Sequence, residues 1–160
     1  MRTNNDKVKN VIVSVYFILI VFAILLATVF SAFSDLTNNP ALTFVIIASA
    51  FALIFYLVHA IAKYFEYDSD GIKIVVINRG LLLSEHFNYR EHKIEIDKED
   101  LIAFKFNNFF VYKRLVLYTK GHHNHQKKVA FNVTLVARKK RRYIRQSLSK
   151  IVKSNRKINK

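Results

Sequence analysis

Two long stretches without a single charge dominate what this chain can fold into. Val11–Phe33 runs for 23 residues with only Ser14, Tyr16, Thr28 and Ser31 as polar interruptions. Ala41–Ala62 runs for 22 more, interrupted only by Thr43, Ser49, Tyr56 and His59. As helices each would be roughly 33–35 Å long, against a bilayer hydrocarbon core of ~30 Å. Helices in soluble cores are rarely apolar on every face over such a length. Both runs therefore read as transmembrane helices, 11–33 and 41–62. The segment Ser34–Pro40 between them is built of turn and cap residues, and its shortness forces an antiparallel hairpin spanning 11–63.

Charge sets the orientation of that hairpin. Lys and Arg number 26 against 11 Asp and Glu, a formal net charge of +15. Residues 1–10 carry Arg2, Lys7 and Lys9, the 34–40 loop carries no Lys or Arg, and the other 23 lie from Lys63 onward. By the positive-inside rule both termini are cytoplasmic, with 1–10 as a basic tail. Abundant Lys, Asn, Ile and Phe fit an AT-rich bacterial genome, which bears on source only; the expected location is the bacterial cytoplasmic (inner) membrane. A cleaved signal peptide fits poorly, because the first apolar run is about twice a usual h-region of ~7–15 residues. The chain has no Cys, which excludes disulfides, thiolate metal sites and thiol nucleophiles.

The membrane part has little to transport with. No Asp, Glu, Lys or Arg lies within either run, and His59 sits near the cytoplasmic boundary beside Tyr56, Lys63 and Tyr64. Ion and proton paths need ionisable groups at mid-depth. Ala23, Ala27 and Ser31 recur every four residues on the first helix, as do Ala48 and Ala52 on the second. Small residues at this spacing let helices approach closely, either within the hairpin, which the sequence favours, or against a partner's helix.

After Lys63 the pattern changes to short segments of period two. Asp68-Ser69-Asp70-Gly71 is a turn signal, and Ile72–Ile77, followed by a second turn at Asn78-Arg79-Gly80 and by Leu81–Leu83, reads as a hairpin with turns at both ends. Further strands are expected at Tyr64–Tyr67, Ile94–Asp97, Ile102–Asn107, Tyr112–Lys120 and Val129–Val133. Ile144, Leu148, Ile151 and Val152 recur at helical spacing, predicting an amphipathic helix over 136–152 and a frayed basic tail over 154–160.

Strands followed by one closing helix is the order of a pleckstrin-homology barrel. The chain resembles the bacterial PH-like membrane proteins, in which two transmembrane helices precede a small cytoplasmic PH-like domain. The likeness is carried by Tyr67-Asp68-Ser69-Asp70-Gly71-Ile72, by Ile94 to Ile102, by Val111 to Tyr118, and by the closing helix. It implies an α+β membrane protein with an antiparallel PH-like β-barrel over 64–153 and a C-terminal basic amphipathic helix. It implies no activity, since members of this group mostly lack one.

Candidate sites are few. Arg138, Lys139, Lys140, Arg141, Arg142 and Arg145 form a basic run without an acid, suited to anionic lipid headgroups at about 1 kcal/mol each near the surface. A solvated face or an acidic partner fits the same run. Basic and aromatic residues interleave at Phe104-Lys105-Phe106 and Tyr112-Lys113-Arg114, but Phe104 and Phe106 share a strand face with Ile102 and read as core, which weighs against nucleic acid. His122, His123 and His125 with Asn124 lie in a strand-to-strand tip that lacks the fixed geometry of a metal site. Asn132-Val133-Thr134 matches a glycosylation sequon within an expected cytoplasmic strand. Glu95, Asp97, Glu99 and Asp100 read as a solvent face and a turn. No phosphate loop, nucleophile elbow or metalloprotease motif occurs. The expectation is a non-catalytic accessory or adaptor subunit with a protein partner in the inner membrane, and no cofactor, metal or small-molecule substrate. The alternative is a domain that reads anionic lipid.

Overall fold

A computed structural model of the chain describes residues 1–29, 40–80, 92–110, 112–121 and 126–158. It is an α+β protein in two units. One comprises Lys7–Ala62, and the other joins Met1–Asp6 to Lys63–Lys160.

The first unit is a pair of helices, α1 (Lys7–Val29) and α2 (Pro40–Ile61). Both are long and apolar enough to cross a membrane. Tyr16 stacks on Phe55 at 5.5 Å and Phe22 meets Phe51 at 6.3 Å, so the pairing runs antiparallel. Almost everything else points outward. Phe17, Ile18 and Phe44 are each more than 60% exposed, an apolar surface that water would not tolerate and lipid would.

Among the described residues the second unit holds two antiparallel sheets and one α-helix. β1 (Arg2–Asn4), β2 (Lys63–Asp68), β3 (Lys73–Gly80) and β4 (His92–Asp97) form the first sheet in that order. β5 (Leu101–Asn108), β6 (Lys113–Lys120) and β7 (Gln126–Asn132) form the second. α3 (Arg138–Ile158) follows. Alternation puts Phe65 and Tyr67 of β2, Ile74 and Val76 of β3, Leu115 and Leu117 of β6, and Phe131 of β7 into one core. Ile144, Leu148 and Val152 of α3 close it along one helical stripe. A bulge between Leu101 and Ala103 shifts the register at the start of β5.

Four expectations are corrected. First, residues 1–10 are not a tail. Residues 2–4 are an edge strand paired Arg2↔Asp68, Thr3↔Tyr67 and Asn4↔Glu66, and α1 begins at Lys7. Asn5 is buried; its Oδ1 accepts from the Phe65 amide at 2.8 Å and its Nδ2 donates to the Lys63 carbonyl at 3.0 Å. These bonds hold the segment where charge alone implied solvent. Second, Asn78-Arg79-Gly80 is no turn. It continues β3 opposite Phe65, Tyr64 and Lys63, whereas the turn expected at Asp68–Gly71 is where β2 passes to β3, with Asp68 Oδ1 accepting from the Asp70 amide at 2.9 Å. Leu81–Leu83 and the 122–125 tip lie outside the described residues. Third, α3 does not fray at 154. Asn155 Nδ2 donates to the carbonyls of Lys98 at 2.6 Å and Leu101 at 2.9 Å, pinning its last turns to the short 3₁₀ turn Lys98–Asp100. Fourth, among the described residues the strands do not close into a barrel; the two sheets are separate hydrogen-bonded ladders.

A polar clip joins those ladders. Asn78 Nδ2 donates to the carbonyls of Tyr64 at 2.9 Å and Asn132 at 3.1 Å, and Asn78 Oδ1 accepts from the Asn132 amide at 3.3 Å. Replacing Asn78 by Ala should cost about 1–3 kcal/mol, read as a lowered denaturation midpoint of the sheet domain. An unchanged midpoint would show that apolar packing alone holds the sheets together.

On the opposite face of β2, Tyr64 Oη donates to Glu66 Oε2 at 2.7 Å, and Arg2 Nε donates to Glu66 Oε1 at 2.8 Å. The Arg79 guanidinium lies 4.7 Å from the centre of the Tyr64 ring. Burial first, then the bond to Glu66, pushes the Tyr64 phenol far above its ordinary range. The fold therefore needs the neutral phenol, whereas the unfolded chain ionises it near pH ~10. Stability from this contact is complete below that pH and declines as pH rises above it. Thermal melts at neutral and strongly alkaline pH should show a shallower decline for Tyr64→Phe than for the parent; equal slopes would remove Tyr64 as the cause.

Candidate functional site

The basic run divides in two once it is wound into α3. Ten of the 21 residues of α3 are Lys or Arg and none is acidic, with Arg138, Lys139, Lys140 and Arg141 all in the first turn. That is the positive end of the helix dipole, where each cation costs rather than gains ~0.3–1 kcal/mol. Ala137, just before the helix, has no side-chain oxygen to offer the first amides. The helix forms regardless, because its opposite stripe is buried.

Arg138, Lys139, Arg141, Arg142 and Arg145 come together around one cavity of about 1170 Å³. Its other wall is the β5–β6 hairpin, through Phe106, Asn108 and Lys113. Arg145 is oriented by the Phe106 ring, its guanidinium 5.2 Å from the ring centre. No carboxylate is among the described residues lining the cavity. Arg141 Nε is buried and has no hydrogen-bond partner among the described residues. Burial, then the repulsion of Arg138 and Arg145, hold the Arg141 guanidinium below its usual value. Six cations thus converge with no carboxylate among the described lining residues, and guanidinium forks match phosphate or carboxylate geometry. Lys140 stands apart from this group, donating its ammonium to the Asn4 carbonyl at 2.5 Å.

The cavity contains residues that charge counting along α3 did not reach. Lys113, Asn108 and Phe106 enter only through the pairing of β5 with β6, which places Asn108 opposite Lys113. Beyond that pair, Phe109 is 57% exposed and Phe110 fully exposed. Two adjacent aromatics inside a polar turn, Asn107-Asn108-Phe109-Phe110, were the available signal.

Other candidates disperse. Phe104 and Phe106 are partly buried and packed on the core, so they present no stacking platform for bases. Asn132 is buried and its Oδ1 accepts from the Thr134 amide at 3.0 Å and hydroxyl at 2.7 Å, so the sequon is a structural turn rather than a glycan acceptor. Glu95 pairs with Lys93 at 3.0 Å on an exposed strand face. Among the described residues no three His, Asp or Glu side chains gather as metal ligands, and the His122–His125 tip is outside them.

In the helix pair the small residues separate too. The seam of α2 runs through Thr43, Ile47, Phe51, Phe55 and Val58, and that of α1 through Ile12, Val15, Tyr16, Leu19 and Ala23. Ala23 is therefore on the seam, whereas Ala48 and Ala52 are exposed away from it. The expected packing within the hairpin is corrected for Ala48 and Ala52, because the larger seam side chains fill that contact. The side chains of Ala27 and Ser31 lie outside the described residues. Comparison with known proteins leaves the chain on its own: no family model, curated protein or solved structure matches it.

Proposed function

We propose that this chain is a membrane-anchored, non-catalytic binding module whose sheet domain engages a phosphate-bearing anionic surface. The observation that carries the proposal is the cavity at the start of α3, where five helix cations and Lys113 converge with no carboxylate among the described lining residues. The anchor is the hairpin, in the bacterial inner membrane. β1 precedes α1, β2 follows α2, and the two strands are hydrogen-bonded neighbours, which supports both flanks lying on one side of the bilayer. The Lys and Arg distribution makes that side the cytoplasm. Among the described residues, six strands after the helix pair followed by a C-terminal helix lend support to the resemblance to PH-like membrane proteins in element order alone.

Binding should be electrostatic and weakened by salt. With the full chain held in neutral nanodiscs, added phosphatidylglycerol vesicles should capture it at low ionic strength. Reversing Arg138, Arg142 and Arg145 to Glu should weaken capture by at least about 100-fold, from ~1 kcal/mol per basic residue near the surface. Capture of the reversed protein at parental strength would overturn the proposal.

A second reading, an accessory subunit docked to another membrane protein, draws on Ala48 and Ala52, which the hairpin leaves outward. Ala48→Leu with Ala52→Leu should shrink the complex recovered in mild detergent to the chain alone. A complex of unchanged size would count against docking through that face.

A further inference from the structure

The cavity and the hairpin tip beside it make one site with two chemistries. Asn108 and Lys113 line the basic cavity and are also the last paired residues before the β5–β6 tip. The tip turns tightly, the Phe109 amide donating to the Tyr112 carbonyl at 2.8 Å, and it projects Phe109 and Phe110 into solvent. Phe110 buries nothing, and an aromatic ring held fully in water at a turn is a loss unless something covers it. A soluble phosphate ester would use the cations and leave both rings wet. A phosphorylated lipid would use both, with its headgroup among the guanidinium groups and the rings against the first methylenes of its chains. Membrane supply favours the same ligand, since Ala62 alone separates α2 from β2.

We propose that Arg141, Arg142, Arg145 and Lys113 bind the phosphate of an anionic lipid while Phe109 and Phe110 form an apolar wedge against its acyl chains. This rests on the anionic-surface reading above and adds the ligand's second half. Selectivity then has two parts: the cations choose a phosphate, and the rings choose a phosphate that carries a lipid. The charged groups facing the cavity are all cationic among its described lining residues, so the preference extends to more highly charged headgroup phosphates.

The test uses the full chain in neutral nanodiscs, titrated calorimetrically with two probes and with empty nanodiscs as blank. Dihexanoyl phosphatidic acid carries phosphate and acyl chains; glycerol 3-phosphate carries the phosphate alone. Each buried methylene is worth about fourfold in affinity, so the lipid should bind at least about tenfold more tightly. Phe109→Ser with Phe110→Ser should remove that advantage and leave glycerol 3-phosphate binding unchanged, which also shows the variant to be folded. Arg142→Ala with Arg145→Ala should weaken both probes. Equal affinity of the parent for both probes would overturn the wedge and assign the cavity to a free phosphate ester, leaving the anionic reading in place. A lipid advantage that survives the Phe substitutions would overturn the wedge as well. If the parent bound neither probe, both the wedge and the anionic reading would fall.

Discussion

The pairing of Arg2–Asn4 with Glu66–Asp68 is the contact on which the rest of the protein depends. It joins residues that flank 56 residues of helical hairpin, so the sheet domain is discontinuous in sequence and continuous in space. Closing so long a loop costs entropy, and three ladder pairs alone offset little of it. Asn5 supplies the difference. Its side chain bonds the Phe65 amide and the Lys63 carbonyl, and its own amide donates to the Phe65 carbonyl at 3.2 Å. One buried residue thus fixes where the first strand stops and the membrane helix begins. The Arg2–Glu66–Tyr64 chain of bonds then covers the outer face of β2, leaving both faces of that strand buried.

The same comparison of magnitudes explains α3. Stacking four cations in the first turn opposes the helix dipole by ~0.3–1 kcal/mol apiece. Burying Ile144, Leu148 and Val152 contributes about 1.5–3 kcal/mol per side chain in the other direction. Two bonds at the far end, Asn155 to the Lys98 and Leu101 carbonyls, and the Tyr67–Ser147 hydroxyl contact at 3.0 Å, fix the helix on the sheets. Packing therefore holds the helix in place while its first turns stay electrostatically unsatisfied. A fold selected for stability alone would place an acid there. That imbalance is the feature from which the anionic ligand is proposed.

How much of this was legible beforehand follows from how local each signal is. The two uncharged runs, the period-two strands and the stripe Ile144, Leu148, Val152 are local patterns, and the sequence shows them directly. Asn5 and Asn155 are not legible, because an Asn reads as a turn or a frayed end until the distant carbonyls it bonds are known. Asn78 misled for the same reason: beside Arg79 and Gly80 it resembles a turn, yet its amide bridges two sheets. The basic run was visible along α3, but Lys113 joins it only through the β5–β6 pairing. Lys140 leaves the group because the carbonyl of Asn4, far away in sequence, accepts a hydrogen bond from its ammonium.

The anchor changes what affinity the site must have. On the proposed reading, a domain one residue from the end of a membrane-anchored helix would meet lipid headgroups at the effective concentration of a linked pair rather than of a free protein. Millimolar intrinsic affinity is then enough for occupancy, provided the geometry lets the site reach a headgroup. A tight, enclosed pocket would be needed by a protein that searches for its ligand from solution. A roomy cavity lined by cations, with two exposed rings on the adjoining hairpin tip, would suit one already held where the ligand is. Under the proposed arrangement charge and a small apolar wedge would suffice, because an anchored hairpin would already supply the association that binding energy must otherwise provide.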